Sequence, residues 1–132
     1  MSVSTPSADE TAVRGLIASW SRAVREEDLR GIRAAHDPEI LMFDVPPPFL
    51  SRGIEAYMAT WQTFFERAVR PVKFDLTDVQ VTAAGDVAFV TGIGHCQDTV
   101  DGQLEFRLTV GLCKRDGSWI VVHEHHSLPA TS

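Results

Sequence analysis

The chain reads as an α+β domain, with helices first and a sheet of successive hairpins packed against them afterwards. Apolar residues recur at helical spacing through the first half, and after Pro71 the period switches to two. Ala84-Gly85-Asp86, Asp101-Gly102 and Asp116-Gly117 then cut the second half into strands. With 132 residues and 44% apolar side chains, the sequence fits one domain, placed at residues 8–129, that buries a single core. Residues 1–7 and 130–132 are expected to be frayed tails.

Ser7-Ala8-Asp9-Glu10 has the pattern of a capping box, so the first helix begins near Ala8. Val13, Leu16, Ile17, Trp20 and Val24 form its apolar stripe. Asp28 is suited to cap a short second helix through Ala35, ended by Asp37-Pro38. Glu39 to Asp44 alternates as a strand with Ile40, Met42 and Asp44 on one face, and Pro46-Pro47-Pro48 stiffens its exit. Gly53 opens a third helix carrying Tyr57, Trp61, Phe64, Phe65 and Ala68. Strands are expected over Val72 to Thr82, Asp86 to Thr99, Gln103 to Arg115 and Ser118 to Ser127.

A net charge of -6 disfavours nucleic acid and anionic membranes as partners. No run approaches the roughly 18 apolar residues of a membrane span, and the first residues lack the features of a signal peptide. A soluble cytoplasmic protein is the expectation. Cys96 and Cys113 lie in β-like runs without metal-type spacing and read as reduced packing residues.

The polar residues of the last two strands need a reason, because they interrupt apolar runs at period two. Arg107 and Thr109 share one face of the penultimate strand. Uninterrupted alternation places Trp119, Val121, His123, His125 and Ser127 on one face of the last strand, with Ile120, Val122, Glu124 and His126 on the other. A pocket wall is the reading adopted, with Arg107 waiting for a carboxylate or an anionic ligand. One sheet face should meet the helices and the other a second subunit. Asp44, at a strand end before the prolines, is the carboxylate suited to be a general base; it could equally cap the turn or pair with Arg107. His123 and His125 could be structural, could line the pocket or could bind metal; a metal would need help from Asp44 or His95. Trp20, Tyr57, Trp61, Phe64 and Phe65 could form core or ligand cage, while His36 reads as surface.

Together these features resemble the nuclear-transport-factor-2-like superfamily in its SnoaL-like and ketosteroid-isomerase-like branch. The residues that carry the resemblance are the long first helix, Glu27-Asp28-Leu29-Arg30-Gly31-Ile32, Phe43-Asp44, Arg52-Gly53-Ile54-Glu55-Ala56, Gly85-Asp86-Val87-Ala88 and the terminal hairpin. That hairpin, Arg107-x-Thr109 through His123-x-His125-x-Ser127, is also similar to the association domain of calcium/calmodulin-dependent kinase II. The resemblance implies a cone, a cystatin-like α+β roll. In it a strongly curved mixed or antiparallel sheet wraps around three N-terminal helices, encloses a pocket and dimerises through the sheet.

The resemblance puts Asp44 at the family's base and Trp20 at its oxyanion Tyr. Near Thr109 to Gly111, where the isomerases keep their protonated Asp, this chain has no carboxyl group. Losing such a donor costs about 2.7–4 kcal/mol in a comparable site, which weighs against steroid isomerisation by the family route. The reading is therefore a small-molecule isomerase or lyase with Asp44, His125 and Arg107 catalytic. Trp20, Trp61, Phe65, His95, Thr109, His123 and Ser127 would bind the ligand, and no cofactor or resident metal is called for. A non-catalytic ligand-binding or oligomerisation domain, and a metal pocket at His123 and His125, stay open as alternatives.

Overall fold

In the computed structural model, which describes residues 7–99 and 102–130, Ser7 Oγ accepts the Glu10 amide at 3.0 Å and caps helix α1 (Ala8–Arg25). Asp28 caps α2 (Leu29–Arg33) through the Gly31 amide in the same way. The chain continues through β1 (His36–Phe43), β2 (Ser51–Arg52) and α3 (Ile54–Arg67) to four long strands. These are β3 (Phe74–Ala84), β4 (Val87–Thr99), β5 (Gly102–Arg115) and β6 (Ser118–Ser127). The expected tails lie almost wholly outside the described residues, as does Asp101 of the second expected turn.

The six strands form one sheet in the order β2-β1-β6-β5-β4-β3. β3 to β6 are a meander of antiparallel neighbours, while β1 runs parallel to β6, so the sheet is mixed. Asp116 and Gly117, both at positive φ, form the tight turn between β5 and β6; Gly117 meets this requirement without steric cost. Helices α1 and α3 pack on one face of the sheet. The core they share holds Val13, Ile17, Trp20 and Val24, Tyr57, Trp61 and Phe65, and the sheet residues Ile40, Met42, Phe74, Val90, Phe106, Leu108, Val110, Leu112 and Val121.

Two departures from the sequence pattern shape the site. The second helix stops at Arg33 rather than Ala35, because Ala34 is extended and Ala35 adopts a left-handed φ of 58°. That turn delivers His36 straight into β1, where Val121 donates to the Ala35 carbonyl at 2.8 Å and His36 pairs with Val121. His36 is accordingly buried, not a surface residue. The second departure is a bulge. Leu112 pairs with Val121 but Gly111 pairs with His123, leaving Val122 as an extra residue in β6. An extra residue reverses which face each following side chain takes. Trp119 and Val121 therefore point into the core, and beyond the bulge Glu124 and His126 do so too.

Candidate functional site

The bulge corrects the placement of the terminal hairpin. Register does bring Thr109 opposite His125 and Arg107 opposite Ser127, so these residues form one cluster. The cluster lies on the outer face of the sheet, since Phe106, Leu108 and Val110 take the buried positions of β5 and leave Arg107 and Thr109 exposed. Arg107 donates to Ser127 Oγ at 3.1 Å and to the Leu128 carbonyl at 3.0 Å, and needs no buried carboxylate. His123 Nδ1 lies 2.7 Å from the Leu41 carbonyl oxygen, and the His123 and His125 rings pack edge-on against Phe43. His95 is held by Thr77 and Glu105. Among the described residues, no group of three His, Cys, Asp or Glu side chains is disposed to hold a metal ion. Cys96 lies in β4 and Cys113 in β5; Cys113 pairs with Val87, nine residues along β4 from Cys96.

The cavity lies on the inner face and measures about 710 Å³. Trp61, Phe64, Phe74, Leu104, Phe106 and Val45-Pro46-Pro47-Pro48 give it an apolar wall, and Asp44 and His126 supply polar atoms. Its size and composition are those of a small-molecule site. Asp44 follows Ile40 and Met42 on the inner face of β1, and its side chain is 19% exposed. Asp44 Oδ1 accepts the Val45 amide at 2.8 Å and stands 3.4 Å from His126 Nδ1. Of the aromatic residues expected to hold a ligand, Trp61 lines the cavity. Phe65 turns into the core and Phe64 takes the cavity wall. Trp20 packs edge-on against Trp61, and its indole N–H donates to Tyr57 OH at 3.0 Å, so it faces another side chain rather than a ligand oxygen.

Behind Asp44 runs a buried polar network that period-two reading of β6 had assigned to the wrong face. His126 Nε2 lies 3.1 Å from Glu124 Oε1. Glu124 Oε2 accepts Tyr57 OH at 2.7 Å and meets His36 Nε2 at 2.8 Å, and His36 Nδ1 donates to the Ala34 carbonyl at 2.8 Å. Glu124 is fully enclosed. Burial opposes its charge, yet the hydrogen bonds and positive charge of His126 and His36 prevail and hold its carboxyl at about 2. His126 is the counterpart. Burial disfavours the imidazolium, but Asp44 and Glu124 together push it up to about 9. Burial also opposes charge on His36, and Glu124 with the Ala34 carbonyl more than offsets this, so its pKa is raised. Burial, then the Glu124 charge, raises Tyr57 well above the ordinary phenol value, which keeps it an O–H donor. The sequence does carry a signal for this network: Glu124-x-His126 is a carboxylate and an imidazole two residues apart on a strand, hence on one face.

The arrangement puts a charged imidazole and a carboxylate side by side in the wall of an apolar cavity. A family model described as a SnoaL-like domain matches residues 13–131. No curated protein matches the chain. Among solved structures, an NTF2-like protein of unknown function from Pseudomonas putida KT2440 is 34% identical with a TM-score of 0.86, over 96% of this chain and 90% of that one. A ketosteroid isomerase-like protein from Erwinia carotovora atroseptica SCRI1043 shares the fold at 15% identity and a TM-score of 0.74, over 94% and 100% of the two chains. A putative ketosteroid isomerase from Shewanella frigidimarina NCIMB 400 does so at 18% and 0.72, over 91% and 98%. The family match runs through nearly the whole sequence and the NTF2-like fold is the one described above: the chain belongs to the SnoaL-like domain family.

Proposed function

We propose that this domain binds an apolar, ring-bearing carbonyl compound in the inner cavity and acts on it as an isomerase or lyase, with Asp44 as general base and His126 as the acid beside it. One observation carries the reading: Asp44 and His126, 3.4 Å apart, both line the same largely apolar cavity. Asp44 Oδ1 takes the Val45 amide and faces His126, which leaves Oδ2 to remove a proton from carbon next to the substrate carbonyl. The electron pair of that C–H bond moves into an enolate, whose oxygen needs a donor. His126 Nδ1–H is available for it, because 3.4 Å is long for a charge-assisted bond and a ligand oxygen can capture the proton donor. Glu124 keeps the imidazolium oriented from its other nitrogen. Return of the proton to a different carbon gives an isomerase; loss of a leaving group gives a lyase. The isomerase names of two structural neighbours belong to those proteins and lend the reading support by analogy.

The experiment is deuterium incorporation from D2O into a panel of cyclic ketones and enones, followed by mass spectrometry. Wild-type protein should label the carbon next to the carbonyl, and Asp44→Asn should reduce labelling by roughly 10²-fold or more while circular dichroism shows the fold retained. Equal labelling by the variant would remove Asp44 as the base. No labelling by the wild type with any member, despite binding, would favour a non-catalytic ligand-binding domain instead.

A homodimer through the outer sheet face is part of the same proposal. Val87 and Phe89 are 62% and 48% exposed on β4, on the face that carries Thr109 and Arg107, where a second copy would cover them. Sedimentation equilibrium tests this, and a monomer at tens of micromolar would exclude it.

A further inference from the structure

Helix α3 divides its residues between two tasks. Tyr57, Met58 and Phe65 are buried in the core, Trp61 is buried and borders the cavity, and Ala56, Ala59, Thr60, Thr63, Phe64 and Arg67 line the cavity. The last set recurs at three- and four-residue steps, so it forms a stripe that follows the cavity for about three turns, roughly 16 Å. Arg67 ends the stripe in the last turn, where the chain leaves for β3. Asp44 follows β1, and Phe74, Cys96, Phe106 and His126 add lining from β3 to β6.

Arg67 is uncommitted, unlike three other arginines. Arg33 is paired with Glu55 at 2.5 Å and Arg70 with Glu27 at 2.5 Å, while Arg115 is paired with Asp37. Arg67 takes part in no ion pair or side-chain hydrogen bond among the described residues. A guanidinium has five N–H donors in a planar fork matched to carboxylate, sulfonate or phosphate oxygens. At the rim of an apolar cavity, it is placed to meet the charged end of a ligand whose body occupies that cavity.

We infer that Arg67 is a specificity residue that selects an anionic ligand: an apolar ring system carrying a carboxylate or other oxyanion at the α3 end, with its reactive carbonyl towards Asp44. The inference deepens the proposed function and rests on the cavity being the ligand site. It does not need Asp44 to be a base.

Two fluorescent probes with the same skeleton test it without an identified substrate: 1-anilinonaphthalene-8-sulfonate, which is anionic, and N-phenyl-1-naphthylamine, which lacks the sulfonate. Wild-type protein should bind the anion more tightly. Arg67→Gln should weaken the anionic probe roughly three- to tenfold and the neutral probe less than about twofold, as expected for an ion pair at a partly screened site. Raising NaCl should narrow the wild-type preference. Arg30→Gln, which removes a cation away from the lining, should change neither affinity. Equal loss of both probes in Arg67→Gln, or no wild-type preference for the anion, overturns the role of Arg67 while leaving cavity binding intact. Failure of the wild type to bind the neutral probe overturns the cavity reading itself, and this inference with it.

Discussion

Glu124 and His126 face each other across a two-residue step of β6, Oε1 to Nε2 at 3.1 Å, with Glu124 enclosed and His126 in the cavity wall. The contact joins the surface that would meet a ligand to a carboxylate that never meets solvent. Glu124 also accepts Tyr57 OH and meets His36, so the same carboxylate holds α3, β1 and β6 together. Removing one charge from such a cluster leaves the others buried without compensation. Glu124→Gln should therefore cost about 3–5 kcal/mol in urea unfolding. A loss below about 1 kcal/mol would show that the network tolerates a neutral centre.

The same pair sets a pH window for stability. His126 stands at about 9 against an ordinary 6.5, so its contribution is fully present below pH 6.5 and is lost as pH rises through about 9. His36 is shifted in the same sense. Glu124 stands at about 2 against 4.5, so its contribution is present above pH 4.5 and is lost as pH falls towards 2. From this cluster, stability should be greatest between those limits, with an alkaline decline of about 3 kcal/mol centred between pH 6.5 and 9. Calorimetric melting from pH 4 to 10 measures it, and His126→Gln should flatten the alkaline limb. An unaltered limb in that variant would assign the decline elsewhere.

Most of the architecture was legible because it follows from local periodicity and turn chemistry. Ser7, Asp28, Gly53 and Asp116-Gly117 mark element ends that the structure reproduces, and Ile40, Met42 and Asp44 share the face expected of them. The buried network was not legible, for two reasons. A bulge at Val122 depends on how β6 registers with β5, and no local feature of Ile120-Val121-Val122-His123 fixes that register. His36 follows a short helix, and only its pairing with Val121 across the sheet pulls it inward. The outer cluster of Arg107, Thr109, His125 and Ser127 was found as a cluster for the converse reason, since it lies entirely on the regular side of the bulge.

The cavity depends on a glycine where backbone and ring approach closely. Gly94 pairs with Phe106 across β4 and β5, and a Cβ at Gly94 would overlap the Phe106 ring. That ring lines the cavity and packs 5.2 Å from His126. Gly94→Ala must shift the ring or the strand, which should cost about 1–3 kcal/mol and weaken neutral-probe binding. In a Phe106→Ala background the same substitution should cost less, because the ring it strikes is gone. Additive losses in this double-mutant cycle would refute the contact as the cause.

The outer cluster supplies a contrasting test of the two sheet faces. Side chains alternate across a strand, so Arg107 and His125 stand opposite the face on which Phe106 and His126 line the cavity. Arg107 spends its donors on Ser127 and Leu128, and His125 borders a hollow, formed with Phe43 and Phe49, that meets the cavity at Asp44 and Val45-Pro46-Pro47-Pro48. Neither lines the cavity itself. Arg107→Ala and His125→Ala should each leave neutral-probe affinity within about twofold of wild type, because surface changes away from a site seldom propagate. If the outer face joins two copies, the same variants should weaken the dimer in sedimentation. A tenfold loss of probe affinity with the oligomeric state unchanged would return these residues to the site, and would mean that coupling through the sheet or through the shared Asp44 to Pro48 wall outweighs the separation of the faces.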